Sequence, residues 1–408
     1  MNLKPVPKGY TAGTHREVPP AKTLELVSRV KEKAGITRVA EITGLDRIGI
    51  PIFTSIRPMA SQGAVTVYTG KGYSQEEAEV SAIMEGIERF SGEPKDFSLV
   101  RGSYRDLSRD REVLDPNLLI LPRRYQSFEE IEWVEGNSLT RDKKILVPAE
   151  AVFHPYSRHN QLFRTNTNGL AVGNALEEAI VHGLMEVIER DAWSLFEAGR
   201  LQGRDLELQD CASPMVRTIV EKLDKAGIRV YAKDITSDVG IPTVAVAIDD
   251  ELTKDPALLS LGVGTHLVAE IAAVRALTEA VQSRLTTIHG TREDTVKAEF
   301  ARRIGYERMK RINKRWFSPS PERVSLSELK SFSGKDFLED IRYTLERLKS
   351  VGLREAIAVD LTRKETGVPA VRVIVPGLEV YAIDKDRSGK RLSAYSGTGY
   401  HGRGIIQS

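Results

Sequence analysis

Polar and apolar positions along this chain repeat with a helical period where acidic residues are densest. In Asn168 to Asp191 (NGLAVGNALEEAIVHGLMEVIERD), Ile180, Leu184, Val187, Ile188 and Ala192 cover several helix faces. Glu178, His182, Glu186 and Glu189 fall within about a quarter of the circumference at roughly 100° per residue. An acidic stripe on a helix is ordinarily a solvated face. A second copy argues otherwise: residues 76–89 read EEAEVSAIMEGIER and residues 177–190 read EEAIVHGLMEVIER, the same phrase with five differences. A weaker third copy is RALTEAVQ, in which Arg275, Glu279 and Gln282 keep the i, i+4, i+7 spacing of Ser81, Glu85, Glu88 and of His182, Glu186, Glu189. Three helices of one polar geometry are predicted.

Between these helices a second pattern recurs. Thr23 to Ala34 reads as helix, and AGITRVAEITGLDRIGIPIFTSI (Ala34 to Ile56) then reads as a glycine stop, a strand, a turn and a strand. AGIRVYAKDITSDVGIPTVAVAI (Ala226 to Ile248) and VGLREAIAVDLTRKETGVPAVRVIV (Val351 to Val375) keep the stop glycine, an acidic residue two before Thr, Gly-x-Pro and a β-branched strand. Alternating helix-hairpin and strand-helix units predict an internally repeated α+β fold. Each acidic helix follows a strand and a glycine-bearing turn: AVTVYTGKGYS, TNTNGLAVGN and LSLGVGTH. Exposed amides at such turns, with the positive end of the helix dipole, favour anions, and Lys71 adds a point charge to the first.

Composition narrows the chemistry. With 41% hydrophobic and 28% charged residues the chain is of soluble globular type, and a net charge of +2 creates no general attraction to nucleic acid or membrane. Cys211 is the only cysteine, which excludes intrachain disulfides and thiolate-rich metal sites, fits a reducing cytosol, and leaves any sulfur chemistry to an outside donor. No apolar run reaches membrane-spanning length and MNLKPVPKGY lacks a signal-peptide core, so a cytoplasmic location is expected.

The remaining segments carry less. Arg101 to Val134 reads as a charged connecting surface segment, and Trp133 to Phe153 as a hairpin. His154 and His159 (HPYSRHN) read as surface-loop histidines without metal-ligand spacing. Thr291 to Trp316 carries nine Lys or Arg against four Asp or Glu and reads as an amphipathic helix, apolar at Phe300, Ile304 and Met309, with a wet basic side rather than a nucleic-acid surface. Gly397, Gly399 and Gly402 match Gly-x-Gly-x-x-Gly, but no helix follows, so the dinucleotide fingerprint is rejected in favour of a glycine-rich tail.

Glu85, Glu88, Glu178, Glu186, Glu189 and Glu279 around one cleft would raise one another's pKa values unless cations compensate. Magnesium takes oxygen ligands, commonly one or two carboxylates per ion with water and phosphates completing the shell, so a polyphosphate is expected beside it, with Arg190, Arg275 and Lys71 neutralising charge. No Gly-x-x-x-x-Gly-Lys-Ser/Thr occurs, so this would be a nucleotide site without a P-loop. These residue types fit a magnesium-dependent phosphoester hydrolase equally well, and a non-catalytic ATP-binding scaffold is a further reading.

The combination Ser81-x-x-x-Glu85-x-x-Glu88-Arg89, Glu178 with Glu186-x-x-Glu189-Arg190, and Arg275-x-x-x-Glu279 resembles the ATP-binding signature of the YcaO family, whose members use ATP and magnesium to activate a peptide-backbone amide. GTHREVPPAKTLE, GITRVAEITGLDRIGIPIF, RPMASQGAVTVYTGKG and SAIMEGIER extend the resemblance to its methanogen branch, which thioamidates a glycine of methyl-coenzyme M reductase. The resemblance implies one domain over residues 1–408, with a first repeat at 16–92, the central acidic helix at 164–195, a second repeat at 216–287, a third helix-hairpin at 341–378 and the tail at 388–408. It implies Glu85, Glu178, Glu189 and Glu279 as metal ligands, and Arg16, Thr23, Lys71, Ser81, Glu88, Glu186, Arg190 and Arg275 as nucleotide contacts. Arg190, Arg275 and Glu189 are the catalytic candidates. Azoline-forming relatives end in a proline-rich tail, so an ending of GRGIIQS favours thioamidation with external sulfide; the resemblance itself implies a TfuA-type partner that delivers sulfur, and a homodimer.

Overall fold

The computed structural model describes residues 1–158, 161–209, 211–291 and 296–393. Among these residues the strands are β1 (Arg38–Glu41), β2 (Ile52–Ile56), β3 (Val67–Lys71), β4 (Val100–Ser103), β5 (Glu130–Ser138), β6 (Lys143–Pro148), β7 (Leu170–Val172), β8 (Arg204–Glu207), β9 (Ile228–Asp234), β10 (Thr243–Asp250), β11 (Ser260–Thr265), β12 (Arg323–Ser325), β13 (Ile357–Asp360) and β14 (Ala370–Ile374). The helices of nine residues or more are α1 (Pro20–Ser28), α2 (Gln75–Ser91), α3 (Leu176–Glu197), α4 (Pro214–Lys225), α5 (Ala269–His289), α6 (Val296–Ile304) and α7 (Phe337–Ser350). They build an α+β fold on three sheets: β1-β2-β3, β11-β10-β9-β8-β12, and β4-β5-β13-β14-β7 with β6 paired to β5.

Each sheet carries one acidic helix: α2 on β2 and β3, α3 on β7 and β14, α5 on β10 and β11. The contact is backbone against backbone. A Cβ on Gly262 would lie 2.2 Å from the Ala276 carbonyl oxygen and 2.3 Å from the Ala280 nitrogen, and one on Gly70 only 2.0 Å from the Ala82 nitrogen. Glycine in the strand and alanine on the facing helix stripe set this close approach. With the sheet side of the helix so thin, the polar stripes of α2 and α5 are left for another surface.

The helix-hairpin units repeat in detail. Gly35, Gly227 and Gly352 follow their helices at φ 77°, 68° and 85°, the left-handed stop that glycine adopts without Cβ strain. The threonine of each copy has a definite task. The hydroxyls of Thr43, Thr236 and Thr362 accept hydrogen bonds from the amides of Ile52 (3.1 Å), Thr243 (3.1 Å) and Ala370 (3.2 Å), so each turn is tied to the start of its returning strand.

Three segments differ from the sequence expectation. Arg101 to Val134 supplies β4 and buries Leu114, Leu119, Tyr125, Ile131 and Trp133, because its apolar residues are spaced irregularly enough to escape a periodic reading. The 291–316 segment, where described, breaks into α6 and shorter helices at Tyr306–Ile312 and Lys314–Phe317, with Gly305 at φ 87°. Phe300 is exposed, while Ala301, Met309, Trp316 and Phe317 face the core. His154 is half-buried, its Nδ1 3.0 Å from the Thr165 hydroxyl, and burial pushes its pKa down to about 4. His159 and the glycine-rich residues 394–408 lie outside the described residues. No helix among the described residues is long and apolar enough to cross a membrane.

Candidate nucleotide and metal site

The three polar stripes converge on one cleft of about 540 Å³. From α2 come Ser81, Glu85, Glu88 and Arg89; from α3, Glu178, His182, Glu186 and Arg190; from α5, Arg275, Glu279 and Gln282. Arg16, Thr23 and Lys71 complete it from the N-terminal segment, α1 and the end of β3. The spacing on α3 is i, i+4, i+8, because Glu189 turns below the wall. Its Oε2 accepts from the Thr265 amide at 2.9 Å, and Arg190 stands 3.6 Å from its Oε1.

Most of these carboxylates are already held. Glu178 accepts from the Glu17 amide at 2.8 Å, from Asn174 at 3.2 Å, and lies 3.6 Å from Arg16. Asn174 in turn accepts from the Thr23 hydroxyl at 2.9 Å, so Thr23 orients Glu178 at second hand. Arg89 bridges Glu85 (3.2 Å) and Glu88 (3.1 Å). Lys71 pairs with Glu279 at 2.5 Å, tying the β3 end to α5. Arg190 also lies 5.2 Å over the Trp193 ring, which fixes the guanidinium at the cleft edge.

Burial, more than repulsion, dominates the electrostatics. It raises Glu88 to about 8 and Glu189 to about 7, with Glu186 and Glu85 adding to the first and Glu279 and Glu186 to the second. Glu186 is raised for the same leading reason. Burial also works to raise Glu279, but Lys71 and Arg190 together carry it below its ordinary value. His182 is held far below its usual range by burial and by Arg16 and Arg275, so it stays neutral and its ring nitrogen accepts from Arg16. Dry carboxylates of raised pKa and neighbouring cations mark a site in which charge is bound from outside.

The residues fit a magnesium-bound triphosphate. Among the described residues no group of three His, Cys, Asp or Glu can hold an ion alone. A nucleotide-bound magnesium needs only one or two carboxylates, with phosphates and water filling its shell. Glu85, Glu178, Glu186 and Glu279 offer those from three walls, with Glu189 beneath. Arg275 Nε is buried without a hydrogen-bond partner among the described residues. Asn174 was not among the sequence candidates, and Arg89 stood in the family signature without a role of its own; it occupies the place in its phrase that Arg190 occupies in the other. A third, Arg372, is buried behind Glu186 and Glu88 and feels both. Its signal is a single charge inside the apolar strand AVRVI.

The family model described as YcaO cyclodehydratase, ATP- and Mg2+-binding, matches residues 69–379. The chain belongs to the YcaO family. A protein of Methanothermobacter thermautotrophicus is 50% identical over 378 residues, covering 92% of this chain and 98% of its own. One from Rhizobium leguminosarum bv. trifolii, named for the tfuA 3′ region, is 30% identical over 93% of this chain and 92% of its own. The structure of YcaO from Methanopyrus kandleri bound with AMPPCP and Mg2+ superposes with a TM-score of 0.80 at 30% identity, covering 94% of this chain and 98% of that one. A heterocyclase in complex with substrate and cofactor has a TM-score of 0.81 at 22% identity over 93% of this chain and 54% of its own, a likeness of fold. ATP and Mg2+ are thus the cofactors of this YcaO protein's family, and its activity is of the ATP-dependent, peptide-modifying kind.

Proposed function

We propose that this YcaO protein phosphorylates the oxygen of a peptide-backbone amide at the expense of ATP and that external sulfide then displaces phosphate, leaving a thioamide. The target is a glycine of methyl-coenzyme M reductase, and a TfuA-type partner delivers the sulfur. The observation that carries the amide-activation step is the convergence of three acidic helices, with Arg16, Arg190 and Arg275, on one cleft. The methanogen relative and the relative named for the tfuA region support the finer reading. So does Cys211, which is buried in a core cluster away from the cleft and supplies no sulfur.

An amide carbonyl is a poor electrophile, and its oxygen leaves only once phosphorylated. Magnesium, when bound, neutralises the phosphates and the charge developing on the transferred group. The chain's own part is position and charge. Arg190 and Arg275 bind phosphate oxygens, Glu85, Glu178, Glu189 and Glu279 hold the cations, and Arg16, fixed against His182 and Glu178, closes the N-terminal side. In the balance, amide, ATP and hydrosulfide become thioamide, ADP and hydrogen phosphate; the amide oxygen leaves on phosphorus and the hydrosulfide proton leaves with it.

Mass spectrometry of the reductase peptide after incubation with the protein, ATP, Mg2+, sulfide and partner tests this by the oxygen-to-sulfur mass increase. ADP is expected only when peptide and sulfide are both present, and Glu189→Gln is expected to abolish the product. ADP release independent of peptide would point instead to a phosphohydrolase, and unchanged modification by Glu189→Gln would refute the residue assignment.

A further inference from the structure

A second, smaller cavity of about 60 Å³ lies behind the nucleotide cleft, and Asn166 and Asn168 line both. Its walls are largely apolar, with Leu119, Phe163, Val187 and Leu378 among them, yet two arginines enter it. Arg372, on β14, is 5% exposed; its Nε and Nη1 have no hydrogen-bond partner among the described residues, and its remaining contact to Asn166 is long, at 3.4 Å. Arg387, also 5% exposed, donates from Nε to the Ile120 carbonyl and lies 4.0 Å over the Phe163 ring. Burial lowers both guanidinium pKa values to about 10, so neither cation is fully compensated by its surroundings. Leaving buried charged donors unpaired is costly, and such pockets are held open for an anion.

The cavity is informative about which anion. Its volume of about 60 Å³ favours a small anion. Apolar walls suit a soft, weakly hydrated ion more than a strongly hydrated one. The pocket also sits beside Glu186 and Glu88, within reach of the nucleotide cleft but separated from it by the Asn166–Asn168 turn. We infer that the Arg372–Arg387 pocket binds hydrosulfide, storing the nucleophile next to the site where the activated amide forms. This rests on the thioamidation reading above and adds to it a separate sulfur site built by this chain. Hydrosulfide leaves the pocket as an intact anion; its sulfur forms the bond to the amide carbon only after the oxygen has been phosphorylated.

Bromide, close to hydrosulfide in size and equal in charge, is the probe. In crystals soaked in bromide, anomalous scattering is expected beside Arg372 in the wild-type protein and not in Arg372→Gln. In assays with peptide, ATP and partner, bromide is expected to compete with sulfide and not with ATP. Arg372→Gln is expected to raise the KM for sulfide by about tenfold or more, the scale of one lost charged hydrogen bond, and by a larger factor than it raises the KM for ATP. A bromide peak with no competition against sulfide would mean an adventitious ion only and would overturn the inference while thioamide formation stands. Absence of thioamide from the wild-type protein at saturating sulfide would remove the thioamidation reading and the hydrosulfide assignment together. Bromide competition is measured on the wild-type chain, so the inference stays testable even if Arg372→Gln does not fold.

Discussion

Replacing Glu88 by Gln should stabilise the ligand-free protein while weakening its response to Mg-ATP. Glu88 ionises near 4.5 when unfolded and near 8 in the fold, chiefly because it is buried, with only 17% of its side chain exposed. A carboxyl whose folded value is raised contributes its full stability below 4.5 and loses it as pH climbs toward 8. At pH 7 the folded group is protonated and the unfolded one is not. That costs the fold about 1.4 kcal/mol for each of the roughly 2.5 pH units above 4.5, about 3 kcal/mol in all. Glutamine keeps the shape and escapes the penalty. Thermal melts of both proteins from pH 4.5 to 8.5 should therefore coincide at the acid end and diverge toward neutral pH, Glu88→Gln melting higher. With Mg-ATP present the wild-type protein should recover more than the variant, since bound cations compensate an ionised Glu88 and not a glutamine. A gap that does not change with pH would refute the reasoning, for it would mean that Glu88 is not held in its neutral form by the fold.

Three further outcomes are expected. Gly262→Ala should cost about 1–3 kcal/mol by overpacking, because the new methyl would meet the Ala276 carbonyl at 2.2 Å; calorimetric titration should show Mg-ATP binding weakened as α5 shifts. Thr236→Val should lower the melting temperature through loss of about 1–3 kcal/mol, leaving the Thr243 amide without its acceptor, whereas Thr236→Ser should recover most of it. The affinity for Mg-ATP should fall as pH drops below about 8, because Glu88 and Glu189 must both give up a proton to ionise beside a cation; titrations in two buffers of different ionisation enthalpy should show proton release on binding that is largest near pH 6 and declines as pH rises past about 8.

Much of the fold was legible because the chain states it more than once. The three glycine stops, the three turn threonines and the paired acidic phrases each become intelligible when one copy is laid on another, and the structure places them in equivalent roles. Convergence of the acidic stripes was legible too, since a stripe repeated on three helices needs a common destination. Other features were not. Whether Glu189 faces the cleft or Thr265 depends on a rotation of α3 of less than half a turn, which periodicity at one-residue resolution does not determine. The break at Gly305 was hidden by strong helix formers on both sides, and the burial of Arg101–Val134 by its lack of any period. Arg372 belongs to a different class: its strand was readable, but that two of its buried donors go without a hydrogen-bond partner among the described residues is a fact of three dimensions.

The repeated architecture also explains why so acidic a site can exist in a folded chain. Glu178 and Glu189 are 1% and 3% exposed on a helix buried nearly all round, a position that isolated carboxylates do not tolerate. Each is held from a different sheet unit: Glu178 by the Glu17 amide and Arg16, Glu189 by the Thr265 amide at the end of β11, Glu279 by Lys71 at the end of β3. The contacts that stabilise the ligand-free cleft therefore cross between units, so each unit is needed to hold a neighbour's carboxylate. A cation entering the cleft would compete with Lys71 for Glu279 and with Arg89 for Glu85. Lys71 and Arg89, once displaced, stand in the same cleft as the incoming phosphates. In the proposed function the ion pairs of the cleft and its phosphate contacts would draw on the same side chains, so that binding would exchange one set for the other without uncovering a bare buried charge.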